Sequence, residues 1–140
     1  QVAIQAGGTS FLADEPESVG GLGSGPTPYD LLSAGLAACT TMTLRLYADQ
    51  KGWPVARIRT AVGHQKRKGE LPADVFARRI EIEGALDDQQ RTRMLEIADR
   101  CPVHRTLESA AAVTTSAGPP PAVTDPIDAH MEAAARLVDG

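Results

Sequence analysis

The sequence predicts an α+β fold, on three observations. Two segments, Val55–Lys66 and Phe76–Ile82, alternate apolar and polar residues with period two, as half-buried strands do. Between Thr27 and Gly52 runs one long, almost uncharged segment bounded by helix start and stop residues. Finally, strand-like and helix-like segments follow each other in the order strand, strand, helix, strand, strand, helix, helix, strand, and no internal repeat organises them.

Taken in order, Val2 and Ile4 alternate with polar neighbours, Gly7-Gly8 supply a turn, and Thr9–Leu12 returns as a second short strand. From Asp14 to Gly25 the chain is rich in acid, Gly and Ser and has little to bury, so it reads as a loop. Its end, Gly20-Gly21-Leu22-Gly23-Ser24-Gly25, resembles a phosphate cradle only superficially. No Lys-Ser/Thr pair follows the last glycine, and no strand leads directly into it. Thr27-Pro28-x-Asp30 is a helix start, with Thr27 as cap, Pro28 in the first position and Asp30 in the positive first turn. The helix continues to Lys51, where Gly52 and then Pro54 stop it. At ~1.5 Å per residue it spans about 36 Å. Residues 31–44 carry no charge, which predicts a helix buried on most sides, and Ala34, Gly35, Ala37 and Ala38 would admit another backbone closely.

The two alternating strands follow, joined by a charged connection from Lys66 to Asp74 and closed by Gly84. Asp87-Asp88-Gln89-Gln90 has the form of a capping box, and Met94, Leu95, Ile97 and Ala98 extend a helical stripe toward Arg100. Cys101-Pro102-Val103-His104 restarts a helix with Pro102 in its first position. Residues 110–116 are expected to form a final strand. Gly118–Pro121 reads as a linker, and Asp125-Pro126 as the cap of a short terminal helix reaching Val138. Residues 1–116 are therefore expected to form one domain, with 117–140 as linker and tail.

Composition narrows the function. Fourteen Lys and Arg against eighteen Asp and Glu give a net charge of −4, too acidic for a general nucleic-acid binder. No apolar run approaches ~18 residues, so no membrane partner is expected. Two cysteines are too few for a disulfide scaffold, and the amino end lacks the pattern of a signal peptide, which makes the cytoplasm the expected location. Cys39 lies midway along the long helix, where a small apolar filler is the plain reading. Cys101 stands just before a helix start, where backbone N–H groups favour a thiolate. With His64 and His104 the two cysteines could supply four zinc ligands, but no C-x-x-C pair supports that reading. From the residues alone the chemistry reaches a pair of thiols far apart in sequence, and no cofactor or metal.

The segment Gly25-Pro26-Thr27-Pro28-Tyr29-Asp30-Leu31-Leu32, leading into Ala37-Ala38-Cys39, is followed about sixty residues later by Arg100-Cys101-Pro102-Val103-His104. These paired motifs resemble the OsmC/Ohr family of osmotically inducible and organic hydroperoxide resistance proteins. The resemblance covers roughly residues 1–116 and is nearest the broad OsmC-like branch. It implies antiparallel sheets wrapped around long central helices in an intertwined homodimer. It also implies a thiol peroxidase: Cys39 would attack an organic hydroperoxide to give a sulfenic acid, and Cys101 would condense with it to a disulfide. A dithiol reductant such as dihydrolipoamide would restore both thiols, with no metal or flavin. The sequence departs from the family at two positions. No Lys or Arg precedes Arg45, and Tyr29 stands where the family carries a glutamate, with Asp30 one residue later. The charge that holds the thiolate is thus expected from Arg100, Arg105 or a second subunit. The competing expectation is a non-catalytic, ligand-binding or accessory dimer related to hydrolase-fused OsmC domains.

Overall fold

The computed structural model describes residues 1–119 and 129–138. Its elements are β1 (Val2–Ala6), β2 (Thr9–Ala13), a 3-10 turn (Glu17–Val19), α1 (Pro28–Lys51), β3 (Val55–Lys66), β4 (Asp74–Gly84), α2 (Asp88–Ala98), α3 (Pro102–Glu108) and α4 (Ala129–Val138). Strands β1 and β2 form one antiparallel ladder, with Val2 opposite Ala13 and Ile4 opposite Phe11; β3 and β4 form another. In the second ladder Arg59 reaches Glu81 at 3.1 Å and Arg57 reaches Glu83 at 3.9 Å. Those partners step in opposite directions along the chain, as an antiparallel register requires. Among the described residues no helix is long and apolar enough to cross a membrane.

The chain divides into two compact units. One comprises Gln1–Ala37 and Ala61–Arg79, the other Ala38–Thr60 and the chain from Ile80 onward. In the first, the Asp14 carboxylate organises the glycine-rich loop. It accepts hydrogen bonds from the backbone N–H of Glu15, Leu22 and Ser24 and from the Ser24 hydroxyl, the last at 2.7 Å. The Ser24 hydroxyl above all, then the N–H donors, hold this buried carboxyl well below the usual range, against the opposing effect of burial. The loop does cradle an anion, but the anion is the chain's own side chain. Gly25 is required here, because a Cβ at that position would lie 2.0 Å from the Leu12 carbonyl oxygen.

In the second unit the core is Leu44, Tyr47, Ala48, Val55, Met94, Ile97 and Ala98, with Ile58, Ile80 and Ile82 packed against it. The apolar positions of β3 and β4 supply its sheet side, which is the purpose of their alternation. Gly52, at φ 64°, ends α1: its N–H donates to the Asp49 carbonyl while that of Trp53 reaches Ala48. These are the paired bonds of a Schellman motif. The capping box of Asp87 and Gln90 forms as the sequence predicts. Helix α4 packs on α3 and buries Ala134.

Two expectations fail. Residues 110–116 form no strand; they are exposed, Val113 at 88%. A strand exists only through ladder bonds to a neighbour, and neither two-stranded ladder takes these residues in. Helix α1 is also not buried on most sides within one chain. Leu36, Cys39, Thr40, Thr43, Leu44 and Tyr47 are buried at helical spacing, but Leu32, Ala34, Gly35, Ala38 and Met42 are exposed. One chain supplies partners for one face only. The expected cap at Asp125-Pro126 lies outside the described residues.

Candidate active site

Helix α1 and the start of α3 bring Cys39 and Cys101 together, 62 residues apart in sequence, with their sulfurs at 2.7 Å. Neither cysteine is in a disulfide, and both are buried, Cys39 at 2% and Cys101 at 0% exposure. The separation exceeds the ~2.05 Å of a disulfide bond. The local reasons are plain. Cys39 falls on the buried side of α1, five residues before the core residue Leu44. Below it, α2 ends at Ala98, and the N–H groups of Arg100 and Cys101 bond back to Ile97 and Ala98 in a tight turn. Pro102 then starts α3, leaving Cys101 as the residue before the helix.

Donors surround the pair unequally. The Thr40 hydroxyl lies 3.8 Å from the Cys101 sulfur, and the Val103 N–H donates to Cys39 at 3.4 Å. The hydrogen bond with Cys39 pulls the Cys101 thiol down to about 5, against burial, and the N–H of His104, the Thr40 hydroxyl and the N–H of Val103 add to it. The same contact, followed by burial, pushes the Cys39 thiol far up, while the Val103 N–H and the Thr43 hydroxyl oppose. Either thiol can donate across the contact, and each sulfur has further donors beside it, the Thr40 hydroxyl at Cys101 and the Val103 N–H at Cys39. The contact raises one thiol and lowers the other, so the two sulfurs titrate as a unit.

The resemblance expects Cys39 to be the ionised sulfur, and across this contact a proton can sit on either one. The donors that shift the pair are backbone amides and threonine hydroxyls, in the place where the sequence suggested Arg100 or Arg105. Sequence reasoning missed Thr40 and Thr43. The signal was available: positions one and four after Cys39 are hydroxylic within an uncharged run, and the fourth returns to the same helix face.

The other singled-out residues are engaged elsewhere. Asp30 completes the cap of α1: it accepts the Thr27 N–H at 2.9 Å and the Thr27 hydroxyl at 2.8 Å. These bonds, the N–H first, lower its pKa. Tyr29 stacks on His64 with ring centroids 4.0 Å apart, and His64 Nε2 lies 2.9 Å from Asp74. His104 Nε2 lies 3.0 Å from Glu108. Among the described residues no three His, Cys, Asp or Glu side chains gather as a metal site. A cleft of about 390 Å³ is lined by Thr41, Met42, Arg45, Leu46, Asp49 and Ile58, and the sulfurs are not part of its wall.

The sequence matches none of the curated proteins. Solved structures resemble it at the level of fold. An OsmC-like protein from Mycoplasma pneumoniae is 22% identical with a TM-score of 0.61, the match covering 77% of this chain and 79% of that one. An organic hydroperoxide resistance protein OsmC from Legionella pneumophila is 21% identical with a TM-score of 0.53, over 67% and 70% of the two chains. The family model described as OsmC-like protein matches residues 21–116, the stretch that holds both cysteines, and the chain belongs to that family.

Proposed function

We propose that the protein is a thiol peroxidase that reduces organic hydroperoxides through Cys39 and Cys101. The observation that carries this reading is the 2.7 Å approach of two buried thiol sulfurs amid donors that stabilise one negative charge. In the resting pair the charge sits on Cys101 and the proton on Cys39. Transfer of that proton across the contact makes Cys39 the nucleophile. Its sulfur attacks the hydroxyl-bearing oxygen of the hydroperoxide; an S–O bond forms, the O–O bond breaks, and the alkoxide takes the proton from Cys101 to leave as an alcohol. Cys101, again a thiolate, then attacks the Cys39 sulfenic acid. The S–S bond forms, and hydroxide departs and is protonated to water. Two thiols and one hydroperoxide thus give one disulfide, one alcohol and one water. A dithiol such as dihydrolipoamide, oxidised to its own disulfide, restores the pair. The low pKa of Cys101 suits both its parts, proton donor to the alkoxide and attacking sulfur.

Burial of both sulfurs beneath an uncharged helix favours an apolar, organic hydroperoxide over hydrogen peroxide. The exposed stripe of α1, with Leu32 at 46% and Met42 at 51% exposure, supports assembly as a homodimer. Its small residues, Ala34, Gly35 and Ala38, would let two such helices pack closely. Residues 1–116 act as the catalytic domain on this reading, and the tail from 117 lies outside it.

Turnover tests the function. With an excess of a dithiol, the purified protein should consume cumene hydroperoxide catalytically, and Cys39→Ser should abolish consumption. Survival of the peroxide in the presence of the wild-type protein would sink the proposal. One observation favours the accessory-dimer alternative. Tyr29 and Asp30, at the positions nearest the family's glutamate, are committed to a ring stack and a helix cap. On that reading both Cys→Ser variants keep full biological activity.

A further inference from the structure

Buried hydroxyls normally find a partner. The hydroxyl oxygen of Thr43 does not: among the described residues it is the buried side-chain oxygen or nitrogen with no hydrogen-bond partner, in a residue of 0% exposure. A threonine inside a helix commonly donates to the carbonyl four residues back. For Thr43 that carbonyl belongs to Cys39, and the bond is not made. Thr43 stands four residues after Cys39 on α1, on the same helix face, where side chains are neighbours. Its hydroxyl is close enough to the Cys39 sulfur to favour the ionised form. A protonated thiol is a weak acceptor, whereas a thiolate accepts strongly.

We infer that Thr43 is a positioning residue for Cys39: its hydroxyl waits without a partner beside the thiol and donates to the thiolate formed when the proton crosses to Cys101. Each sulfur then has its own threonine, Thr40 for Cys101 at 3.8 Å and Thr43 for Cys39. At rest the contact with Cys101 and burial keep Cys39 protonated, and the hydroxyl has nothing strong to bind. It stabilises the ionised state only in the reacting configuration. The inference rests on Cys39 being the attacking sulfur, and it has a signature that a merely structural threonine lacks. Removing the hydroxyl should leave the reduced fold as stable or more stable while slowing the thiol, because the resting state gains nothing from that hydroxyl.

The test uses the full chain with Thr43→Val, which keeps the shape, and Thr43→Ser, which keeps the hydroxyl. Two rates are followed against pH: carbamidomethylation of Cys39 by iodoacetamide, mapped by mass spectrometry, and loss of thiols to cumene hydroperoxide. Thr43→Val should react about tenfold more slowly in both near neutrality, its profile displaced by about one pH unit upward, with an undiminished melting temperature when reduced. Thr43→Ser should stay near wild type. An unchanged profile in Thr43→Val, or equal slowing in Thr43→Ser, overturns the inference. Should Thr43→Val not fold, Thr43→Ala against Thr43→Ser decides on the same readouts. If wild-type thiols survive the hydroperoxide, the peroxidase reading falls, while the iodoacetamide profile still judges Thr43.

Discussion

Replacing Cys39 with Ala removes the contact that acts most strongly on Cys101 and leaves the other donors in place. The Cys101 thiol, ordinarily at 9.0, is held at about 5. A hydrogen bond to a charged group contributes about 1.5–3 kcal/mol, or roughly one to two pH units. Loss of Cys39 should therefore raise Cys101 by roughly one to two pH units, with the His104 and Val103 amides and the Thr40 hydroxyl opposing a larger rise. Just above the wild-type midpoint the variant should be markedly less ionised than wild type. The assay is a pH titration of thiolate absorbance in the ultraviolet, paired with the alkylation rate of Cys101 over the same range. A variant midpoint within about half a pH unit of wild type would refute the assignment of Cys39 as the main stabiliser.

Other outcomes follow from the same coordinates. Ala34→Glu places a charge in the exposed small-residue stripe of α1 and should convert a dimer to monomers in sedimentation analysis; an unchanged sedimentation coefficient would remove that stripe from the interface. Leu44→Ala, at a position of 0% exposure, should lower the unfolding free energy by about 3 kcal/mol in urea titration without altering the thiol count. Asp14→Asn should lower the urea midpoint at neutral pH. Because the folded carboxyl titrates below its unfolded value of about 3.9, its stabilisation is present above that pH and fades below it, so the two proteins should converge in strong acid.

Much of the fold is legible in the residues because its signals are local. Thr27-Pro28 and Gly52 bound α1, Asp87 and Gln90 cap α2, and the period of two in Ile58, Thr60 and Val62 marks β3; each acts within a few positions. Residues 110–116 mislead for the opposite reason: their β-branched end, Val113-Thr114-Thr115, suits a strand, but pairing is settled by distant neighbours that local pattern does not reveal. The uncharged run along α1 is similarly double-edged. It specifies apolar surroundings without saying whether one chain or two provide them. At the site, composition singles out the two cysteines, and only the turn after Ala98 shows how Cys101 comes to lie against α1. The threonines escaped notice because hydroxyls in a helix ordinarily bond to the backbone, and the missing bond at Thr43 is visible only in three dimensions. Asp30 illustrates the converse: its cap is readable from sequence, and the cap bonds to Thr27 form as the residues predict.

Peptide mapping after one equivalent of cumene hydroperoxide gives the most direct measurement. The reduced protein should yield a single new species in which the peptides containing Cys39 and Cys101 are joined by an intrachain disulfide, with one alcohol released per chain. Recovery of both cysteines as free thiols, or of disulfides only between chains, would contradict a redox cycle built on this sulfur pair.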